Sequence, residues 1–555
     1  MSEKRYGADL IVDSLINHNV KYAFGIPGAK IDRVFDLLDN VKGPKMVVTR
    51  HEQGAAFMAQ AVGRLTGEPG VVIVTSGPAI SNLATPLLTA TSEGDAILAI
   101  GGQVKRSDRL KRAHQSTNNA ALLAPTTKYS EEVLDASVLS ETIANAYRIS
   151  KTGRAGAAFI SVPQDVTDSE IGNIEAIKPL SAPKMGNASI DDINYLAQAI
   201  KNAVLPVILV GAGGSDEKVA TSLRNLLTHV NIPVVETFQG AGVISRDLEH
   251  TFYGRIGLFR NQPGDFLLKR SDLVIAVGYD PIEYEARNWN AEIDSRIIVI
   301  DNQIAEIDTY YQPERELIGN IAATLDSLLP AVRGYELPEG SKEYLAGLKK
   351  VTDVHEFDLE NTAEGRMHPL DLVTTFQDIV KDDETVTVDV GSLYIWMARH
   401  FKSYEPRHLL FSNGMQTLGV ALPWAITSAL YRPGKKVYSH SGDGGFLFTG
   451  NELETAVRLN LPIVQIIWND GHYDMVKFQE EMKYGRSAAV DFGVVDYVKY
   501  AESMGAKGYR ATTKEEFAEI LKSIPEATGP VVIDVMLDYS DNVKLADKLL
   551  PEEFY

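Results

Sequence analysis

The stretch Val437-Tyr438-Ser439-His440-Ser441-Gly442-Asp443-Gly444-Gly445 decides the fold of this chain, together with Trp468-Asn469-Asp470, which ends 27 residues after Asp443. The first three residues predict a strand, and the glycines let the backbone turn tightly and approach a ligand closely. A helical pattern covers Glu452 to Asn460, and the apolar run Leu461 to Trp468 predicts a buried strand. The unit is therefore a strand, a Gly-Asp-Gly turn, a helix and a second strand.

This unit places oxygen-bearing side chains, those of Asp443 and Asp470, at the ends of two neighbouring parallel strands. Open α/β sheets bind ligands at that edge. Mg²⁺ takes a few such oxygens and leaves positions for phosphate oxygens. A Gly-Asp-Gly triplet by itself is equally typical of an ordinary turn, but the complete unit predicts a metal and phosphate site.

The composition excludes several classes of protein. The 555 residues predict three or four domains, and 45% apolar content is enough for several cores. A net charge of −20 argues against binding to nucleic acids and anionic membranes. The absence of cysteine excludes disulfides, thiolate metal sites and a cysteine nucleophile. Neither a signal-peptide core nor a membrane-length apolar run is evident, so a cytoplasmic protein is expected.

Apolar runs alternate with helical patterns along the chain, which is typical of an α/β fold with doubly wound parallel sheets covered on both faces. We predict domains at residues 1–170, 185–335 and 365–540, followed by a charged tail at 541–555. The runs that carry this prediction are Met46–Val48, Gly70–Val74, Ala96–Ile100, Ala157–Val162, Pro206–Val210, Leu273–Gly278 and Ile297–Asp301.

The middle domain contains a glycine-rich turn, Gly211-Ala212-Gly213-Gly214, directly after a predicted strand. Such a turn before a helix could bind the phosphates of NAD or FAD, but the Gly-x-Gly-x-x-Gly fingerprint is incomplete. Tight packing of a strand against a helix is the other interpretation.

The Gly-Asp-Gly unit resembles the metal-diphosphate signature of the thiamine diphosphate (ThDP) enzymes, in which a pair of asparagines follows at this distance. The resemblance implies pyrimidine-binding, central and diphosphate-binding domains, with Mg²⁺ held by Asp443, Asp470 and the backbone carbonyl of His472. Asp470 stands in place of the second asparagine; it keeps an oxygen ligand and adds a negative charge. The other implied diphosphate contacts are Val390, Gly391, Ser392, Leu393, Gly442, Gly444, Gly445, Tyr473, Asp474 and Met475.

The segment Arg50-His51-Glu52-Gln53-Gly54-Ala55-Ala56 lies at a strand-to-helix junction in the first domain. By itself Glu52 would be a carboxylate stabilised by the helix dipole. The resemblance implies instead that Glu52 protonates N1′ of the cofactor's pyrimidine, for which a raised pKa is needed. Gly77 to Asn82 resembles the family turn whose asparagine, here Asn82, lies beside the cofactor; the alternative is an ordinary Gly-Pro turn with a helix cap.

The segment Ser412-Asn413-Gly414-Met415-Gln416-Thr417-Leu418-Gly419 resembles the family's wedge beneath the two cofactor rings. It implies that Leu418 is the wedge, that the Gln416 carbonyl accepts from the 4′-amino group and that Met415 contacts the pyrimidine. An apolar pair in a glycine-flanked loop is the other interpretation. In this superfamily the first and third domains meet around the cofactor across a subunit interface, so a homodimer at least, and commonly a tetramer, is implied.

Across nearly its whole length the chain resembles the catabolic, FAD-independent acetolactate synthases. Their reaction would be the decarboxylating condensation of two pyruvate molecules to 2-acetolactate and CO₂ through hydroxyethyl-ThDP, which feeds acetoin and butanediol fermentation. The segments that carry the resemblance are Phe24–Asp32, His114–Ser116, Ser392–Arg399 and Met475–Glu481.

Three further residues are candidates for contact with substrate. Lys30 follows a Pro-Gly turn and would guide the carboxylate of pyruvate, and Gln115 would hydrogen-bond the substrate or the intermediate. Gln479 stands where the FAD-containing synthases have tryptophan, which implies that pyruvate is also the acceptor. Pyruvate oxidases, 2-keto acid decarboxylases and a catalytically silent protein on the ThDP scaffold remain alternatives.

Overall fold

The computed structural model describes residues 4–40, 43–180, 183–352, 357, 359, 362–525 and 529–546. Within these residues the chain forms three six-stranded sheets, in which every neighbouring pair of strands is parallel. The predicted tail at 541–555 lies partly outside the description, since residues 547–555 fall beyond it. The predicted α/β class with parallel sheets is confirmed.

The first sheet has the strand order β2-β1-β3-β4-β6-β5, the second β12-β11-β10-β7-β8-β9, and the third β14-β13-β15-β16-β18-β17. The strands are β1 (Tyr22–Ile26), β2 (Lys45–Val48), β3 (Gly70–Val74), β4 (Ile97–Gln103), β5 (Tyr129–Glu132), β6 (Ala157–Pro163), β7 (Pro206–Val210), β8 (Val234–Thr237), β9 (Phe252–Ile256), β10 (Leu273–Val277), β11 (Arg296–Asp301), β12 (Arg315–Ile318), β13 (Thr385–Val388), β14 (Leu409–Phe411), β15 (Val437–Gly442), β16 (Ile463–Asn469), β17 (Lys507–Ala511) and β18 (Val531–Met536).

Helices connect the strands and cover both faces of the sheets. They are α1 (Gly7–Asn17), α2 (Asp32–Asn40), α3 (Glu52–Thr66), α4 (Pro78–Ser81), α5 (Ala84–Glu93), α6 (Asn119–Leu123), α7 (Leu139–Lys151), α8 (Gln164–Thr167), α9 (Ile190–Asn202), α10 (Glu217–Leu227), α11 (Pro263–Arg270), α12 (Ile321–Val332), α13 (Glu339–Thr352), α14 (Pro369–Gln377), α15 (Ser392–His400), α16 (Ala421–Tyr431), α17 (Asp443–Thr449), α18 (Leu453–Arg458), α19 (Asp474–Tyr484), α20 (Tyr497–Ser503) and α21 (Lys514–Ser523).

The central strands are predominantly apolar because helices bury both of their faces. Every residue of β3, β4, β6, β7, β10 and β16 is buried. This burial explains why these strands appear in the sequence as continuous apolar runs rather than as alternating ones.

The first and third sheets share one hydrophobic core, formed where α3 packs against α16. At this contact the hydroxyl of Thr427 donates to the carbonyl of Met58 at 2.8 Å. A Cβ on Gly54 would lie 2.4 Å from a carboxylate oxygen of Glu452, so the glycine permits close approach. The packing fixes the start of α3, and therefore Glu52, relative to the third sheet.

No helix among the described residues is long and apolar enough to span a membrane.

Candidate active site

Three neighbouring strands of the third sheet end beside one another. β13, β15 and β16 are adjacent, with Val388 paired to His440 and Gly442 paired to Trp468. An aspartate follows the end of each strand: Asp389 after β13, Asp443 after β15 and Asp470 after β16. Because parallel strands share one carboxyl edge, the three side chains gather where α/β sheets bind ligands.

The carboxylate of Asp443 is held by backbone amides on both sides. Its Oδ2 accepts from the N–H of Gly471 at 2.8 Å, and its Oδ1 accepts from Gly444 at 2.9 Å. Burial raises the pKa of Asp443 to about 6, although these hydrogen bonds favour the ionised form. The loop after β16 is thereby tied to the Gly-Asp-Gly turn.

Asp470 is 9% exposed and lies among other carboxylates. Burial, followed by repulsion from Asp474 and Asp443, raises its pKa to about 8. The Nδ1 atom of His472 lies 3.1 Å from its Oδ2. The side-chain amide of the neighbouring Asn469 instead donates to Asp534 of β18 at 2.8 Å, so it links two adjacent strands of the sheet.

Asp474 joins this group from the first turn of α19. Its Oδ2 accepts from the hydroxyl of Ser392 at 2.5 Å and from the amide of Asn542. Asn542 also accepts from the indole N–H of Trp396 at 2.8 Å. Sequence reasoning missed Asn542, which reaches the site from beyond β18 and carries no motif that would have marked it.

The donor set fits a hard divalent cation bound together with phosphate oxygens. Within the described ranges, no group of three or more His, Cys, Asp or Glu side chains is placed to hold a metal ion. Mg²⁺ is commonly held by one or two carboxylates plus phosphates and water, and Asp443 and Asp470 supply two. Since their close burial raises both pKa values, a cation would offset their mutual repulsion.

The glycines of the turn are packed so closely by neighbouring side chains that a Cβ would not fit at Gly444 and would be tight at Gly445. A Cβ on Gly444 would lie 2.8 Å from the rings of Phe492 and Tyr473, and one on Gly445 would lie 3.2 Å from the carboxylate of Asp389. Gly391 has φ +143°, a conformation that L residues rarely adopt. These turns therefore need glycine for their packing and, at Gly391, for the backbone conformation, and a backbone without side chains is what a diphosphate-binding turn requires.

Asp389 was not recognised from the sequence, although its place at a strand end was a usable signal. Its two carboxylate oxygens accept from the N–H of Gly419 at 2.9 and 3.1 Å, and Oδ1 also accepts from Val390. Burial raises the pKa of Asp389 to about 6. Asp389 therefore ties the turn after β13 to the end of the 412–419 loop.

The loop from Ser412 to Gly419 exposes the side chains proposed to contact the cofactor. Met415 is 42% exposed, Gln416 is exposed and Leu418 is half-buried. Gln416 has φ +48°, in the left-handed region that non-glycine residues rarely occupy. Met415 and Gln416 line a cleft of about 470 Å³, whose opposite wall comes from the central domain and includes Leu258, Phe259, Arg260 and Tyr284.

The first sheet brings together a second group at its carboxyl edge. Glu52 begins α3 and is half-buried, and its Oε2 accepts from the side-chain amide of Asn82 at 2.9 Å. Gln115 has φ +59°, and its Oε1 accepts from the hydroxyl of Ser76 at 3.1 Å. Lys30 is half-buried, with its Nζ 3.5 Å from the amide oxygen of Gln164.

The buried Glu452 holds the start of α3 from the third-sheet side. Its Oε1 accepts from the backbone N–H groups of Arg50 and His51, each at 3.0 Å. Burial raises the pKa of Glu452. Sequence analysis noted this residue only as the beginning of a helix, since its partners lie about 400 positions earlier in the chain.

Helix α19 carries Asp474, Met475 and Gln479 along the surface. Phe478 is its single buried residue, and its ring lies 5.8 Å from that of Phe259 in the central domain. Gln479 is exposed, and its amide nitrogen lies 3.5 Å from the sulfur of Met475. Tyr473, just before the helix, is exposed.

Matches to known protein families agree with this geometry. The N-terminal thiamine pyrophosphate (TPP) binding domain of thiamine pyrophosphate enzymes matches residues 5–122, their central domain 193–328 and their C-terminal TPP binding domain 389–535. Thiamine pyrophosphate is another name for ThDP. The fold and the site thus define a thiamine pyrophosphate enzyme.

Similar proteins indicate which family of thiamine pyrophosphate enzymes the chain belongs to. The chain is 54% identical over 551 residues to the acetolactate synthase of Bacillus subtilis (strain 168), covering 99% of this chain and 96% of that protein. It is 43% identical over 546 residues to a catabolic acetolactate synthase of Raoultella terrigena, covering 98% and 97% of the two chains. The chain belongs to the acetolactate synthase family within the thiamine pyrophosphate enzymes, which confirms the family resemblance seen in the sequence.

Proposed function

We propose that this protein is a catabolic acetolactate synthase, which condenses two pyruvate molecules to 2-acetolactate and CO₂. The observation that carries the proposal is the full-length similarity to two acetolactate synthases, one of them catabolic, in a chain that retains Glu52, Asp443 and Asp470. The same reasoning makes it a ThDP-dependent carboligase of the transferase class, feeding acetoin formation.

We propose Mg²⁺ and ThDP as its cofactors. Asp443, Asp470 and the carbonyl of His472 would hold the metal, and the turns around Gly391 and Gly444 would approach the diphosphate. The remaining proposed diphosphate contacts are Val390, Ser392, Leu393, Gly442, Gly445, Tyr473, Asp474 and Met475. Bound ThDP would supply the carbon nucleophile and the electron sink for decarboxylation.

Glu52 would hold the proton at N1′ of the pyrimidine. Its half-buried position and the amide of Asn82, which donates to its Oε2 at 2.9 Å, favour one orientation of its carboxyl group. The Gln416 carbonyl would accept from the 4′-amino group, with Met415 and Leu418 packed against the rings. The chain's own part in the reaction is therefore to orient the cofactor and to hold one proton.

Lys30, Gln115 and Gln479 are the proposed contacts for pyruvate. Lys30 supplies the positive charge that a carboxylate needs in a chain of net charge −20. Gln115 is held by Ser76 near Gly77, where a Cβ would lie 2.9 Å from the Gln115 side chain. Gln479, on exposed α19, would shape the pocket of the acceptor.

We propose a homodimer as the minimum active unit and a tetramer as its assembly. Apolar side chains stand exposed around the third-sheet edge of a single chain: Leu447, Phe448, Val476 and Met415 are 42–51% exposed. Several exposed large apolar side chains beside one site favour an interaction surface there. A second copy would cover it and present its Glu52 to the Asp443 edge.

We propose that the central domain binds no flavin. The carboxylate of buried Glu283 accepts from the N–H of Ala212 at 2.9 Å, and a Cβ on Gly211 would lie 2.6 Å from it. Burial raises the pKa of Glu283 to about 7. A carboxyl group thus occupies the glycine-rich turn where a dinucleotide phosphate would bind, which favours the packing interpretation of this turn.

An assay with pyruvate, ThDP and Mg²⁺ but without FAD tests the function. Acetolactate is converted to acetoin by acid and measured, with Asp443→Ala as the matched control for loss of the metal site. We expect acetoin from the wild type and none from the variant.

Other products would overturn the proposal. Stoichiometric bound flavin that pyruvate reduces would identify a pyruvate oxidase. Acetaldehyde as the sole product would identify a decarboxylase, and ThDP binding without turnover would identify a silent binding protein.

A further inference from the structure

Helix α5 of the first domain ends against the loop that carries Met415 and Gln416. Oε1 of Glu93, the last residue of α5, accepts from the hydroxyl of Ser412 at 2.6 Å and from the backbone N–H of Gly414 at 3.1 Å. The N–H of Met415 lies 3.4 Å from the same oxygen. One turn earlier, the hydroxyl of Thr89 lies 2.8 Å from that of Thr417.

The other oxygen of Glu93 is held by a buried ion cluster. Arg64 donates to Oε2 at 2.6 Å, and Arg64 also pairs with Asp95 at 2.7 Å. The side chain of Glu93 is fully buried, and that of Arg64 is 10% exposed. The guanidinium of Arg64 stacks 4.7 Å above the ring of Trp424. Buried Arg64 therefore holds the oxygen of Glu93 that faces away from the loop.

The loop needs such support because of its backbone conformation. Gln416, at φ +48°, occupies a region that persists in a non-glycine residue only when its surroundings impose it. Gly414 permits the contact, since a Cβ there would lie 3.0 Å from Cγ of Glu93. The loop is exposed at Met415 and Gln416, so water could otherwise compete for its amides.

We propose that Glu93 is a positioning residue for the cofactor loop: its carboxylate fixes the Ser412–Thr417 backbone so that Met415 and the Gln416 carbonyl face the pyrimidine. Thr89 holds the far end of the same segment. The first domain thus shapes the loop in its own chain, separately from the Glu52 that it would contribute to a partner. This inference rests on the proposed ThDP site.

Two variants separate positioning from simple stabilisation. Glu93→Gln removes the charge and leaves an amide that cannot accept from the loop and from Arg64 with both of its polar atoms. Asp95→Asn weakens the same ion cluster, but Asp95 bonds Arg64 and Gln60 rather than the loop. Thr89→Val removes the hydroxyl facing Thr417 and keeps the side-chain shape, so it tests the loop if Glu93→Gln fails to fold.

The first measurement is hydrogen exchange of residues 414–417 in the full-length protein without cofactor; residue 411 is left out because Arg64 donates to its carbonyl. We expect faster exchange in Glu93→Gln and Thr89→Val and wild-type exchange in Asp95→Asn. The second is calorimetric titration with ThDP and Mg²⁺. Since charge-assisted hydrogen bonds to the loop are lost, Kd for ThDP should rise about 10- to 100-fold in Glu93→Gln and less in Thr89→Val. KM for pyruvate at saturating ThDP should stay unchanged.

Equal loop exchange and equal ThDP affinity in Glu93→Gln and Asp95→Asn would overturn the inference, because both variants would then merely weaken the ion cluster. A wild-type protein that binds no ThDP would refute the proposed function instead. In that case loop exchange alone decides whether Glu93 positions the segment.

Discussion

Replacing Asp470 by asparagine, the residue that the wider ThDP family carries there, should remove most of the pH dependence of metal binding near neutrality. In the metal-free protein, burial and the carboxylates of Asp474 and Asp443 raise the pKa of Asp470 to about 8. A metal ligand must be ionised, so binding Mg²⁺ at lower pH requires removal of this proton. Asparagine carries no such proton.

The pKa values of Asp470 and Asp443 give the size of the expected change in Mg²⁺ affinity with pH. Each pH unit below about 8 should weaken the apparent Mg²⁺ affinity of the wild type about tenfold, which amounts to about 100-fold between pH 8 and pH 6. In Asp470→Asn the remaining dependence comes from Asp443, whose pKa is about 6, and begins near that pH. The variant should therefore bind more weakly at pH 8, approach the wild type at pH 6 and retain activity.

Calorimetric titration with Mg²⁺ and ThDP at pH 6, 7 and 8, in pairs of buffers with different ionisation heats, measures both affinity and proton release. We expect release of about one proton at pH 7 in the wild type and markedly less in Asp470→Asn. The matched control is Asp491→Asn, which removes an 81% exposed carboxylate 3.2 Å from His472. Equal pH slopes in wild type and Asp470→Asn would refute the reasoning.

Three further substitutions test other parts of the molecule. Glu52→Gln should preserve ThDP binding and lower turnover by roughly 10²–10⁴-fold, because an amide cannot protonate N1′; near-normal turnover would remove Glu52 from this role. Gln479→Trp should shift the acceptor preference toward 2-ketobutyrate by about tenfold, since an indole wall favours one extra methylene by about 1–3 kcal/mol; an unchanged product ratio in a competition assay would place Gln479 outside the acceptor pocket. Burial lowers the pKa of His440 to about 3, so the wild type should lose unfolding free energy as pH falls from about 6.5 toward 3. His440→Gln should lessen that loss by about 1.4 kcal/mol per pH unit between pH 6 and 4, and identical denaturation profiles would contradict it.

Much of the fold follows from local patterns. Runs such as Gly70–Val74 are apolar at every position, which only a strand buried on both faces tolerates, and the structure has β3 at those residues. Helix α3 ends at Thr66, and the next residue, Gly67, caps it in the left-handed conformation that glycine adopts most easily. The domain boundaries and the roles of the individual site residues stay predictions.

The sequence by itself determined which short segments form strands and turns and which of them end in potential ligand-binding side chains. The stretch from Asp443 to Asp470 contains two short helices, α17 and α18, and the strand β16, which is the length needed to cross over to the neighbouring parallel strand. The sequence therefore predicts that the two carboxylates follow adjacent strand ends. Glycine turns and strand-end aspartates can be predicted from the sequence because the backbone within a short stretch constrains its own side chains.

Tertiary structure alone decided which distant groups hold that chemistry in place. Glu93 meets Ser412 across 319 positions, Glu452 meets His51 across 401, and Asn542 meets Asp474 across 68. Each is a polar side chain that would be solvated in an isolated segment, and no local pattern distinguishes it. Burial between packed domains removes water from these groups, and their partners are then set by which surfaces the three sheets bring together.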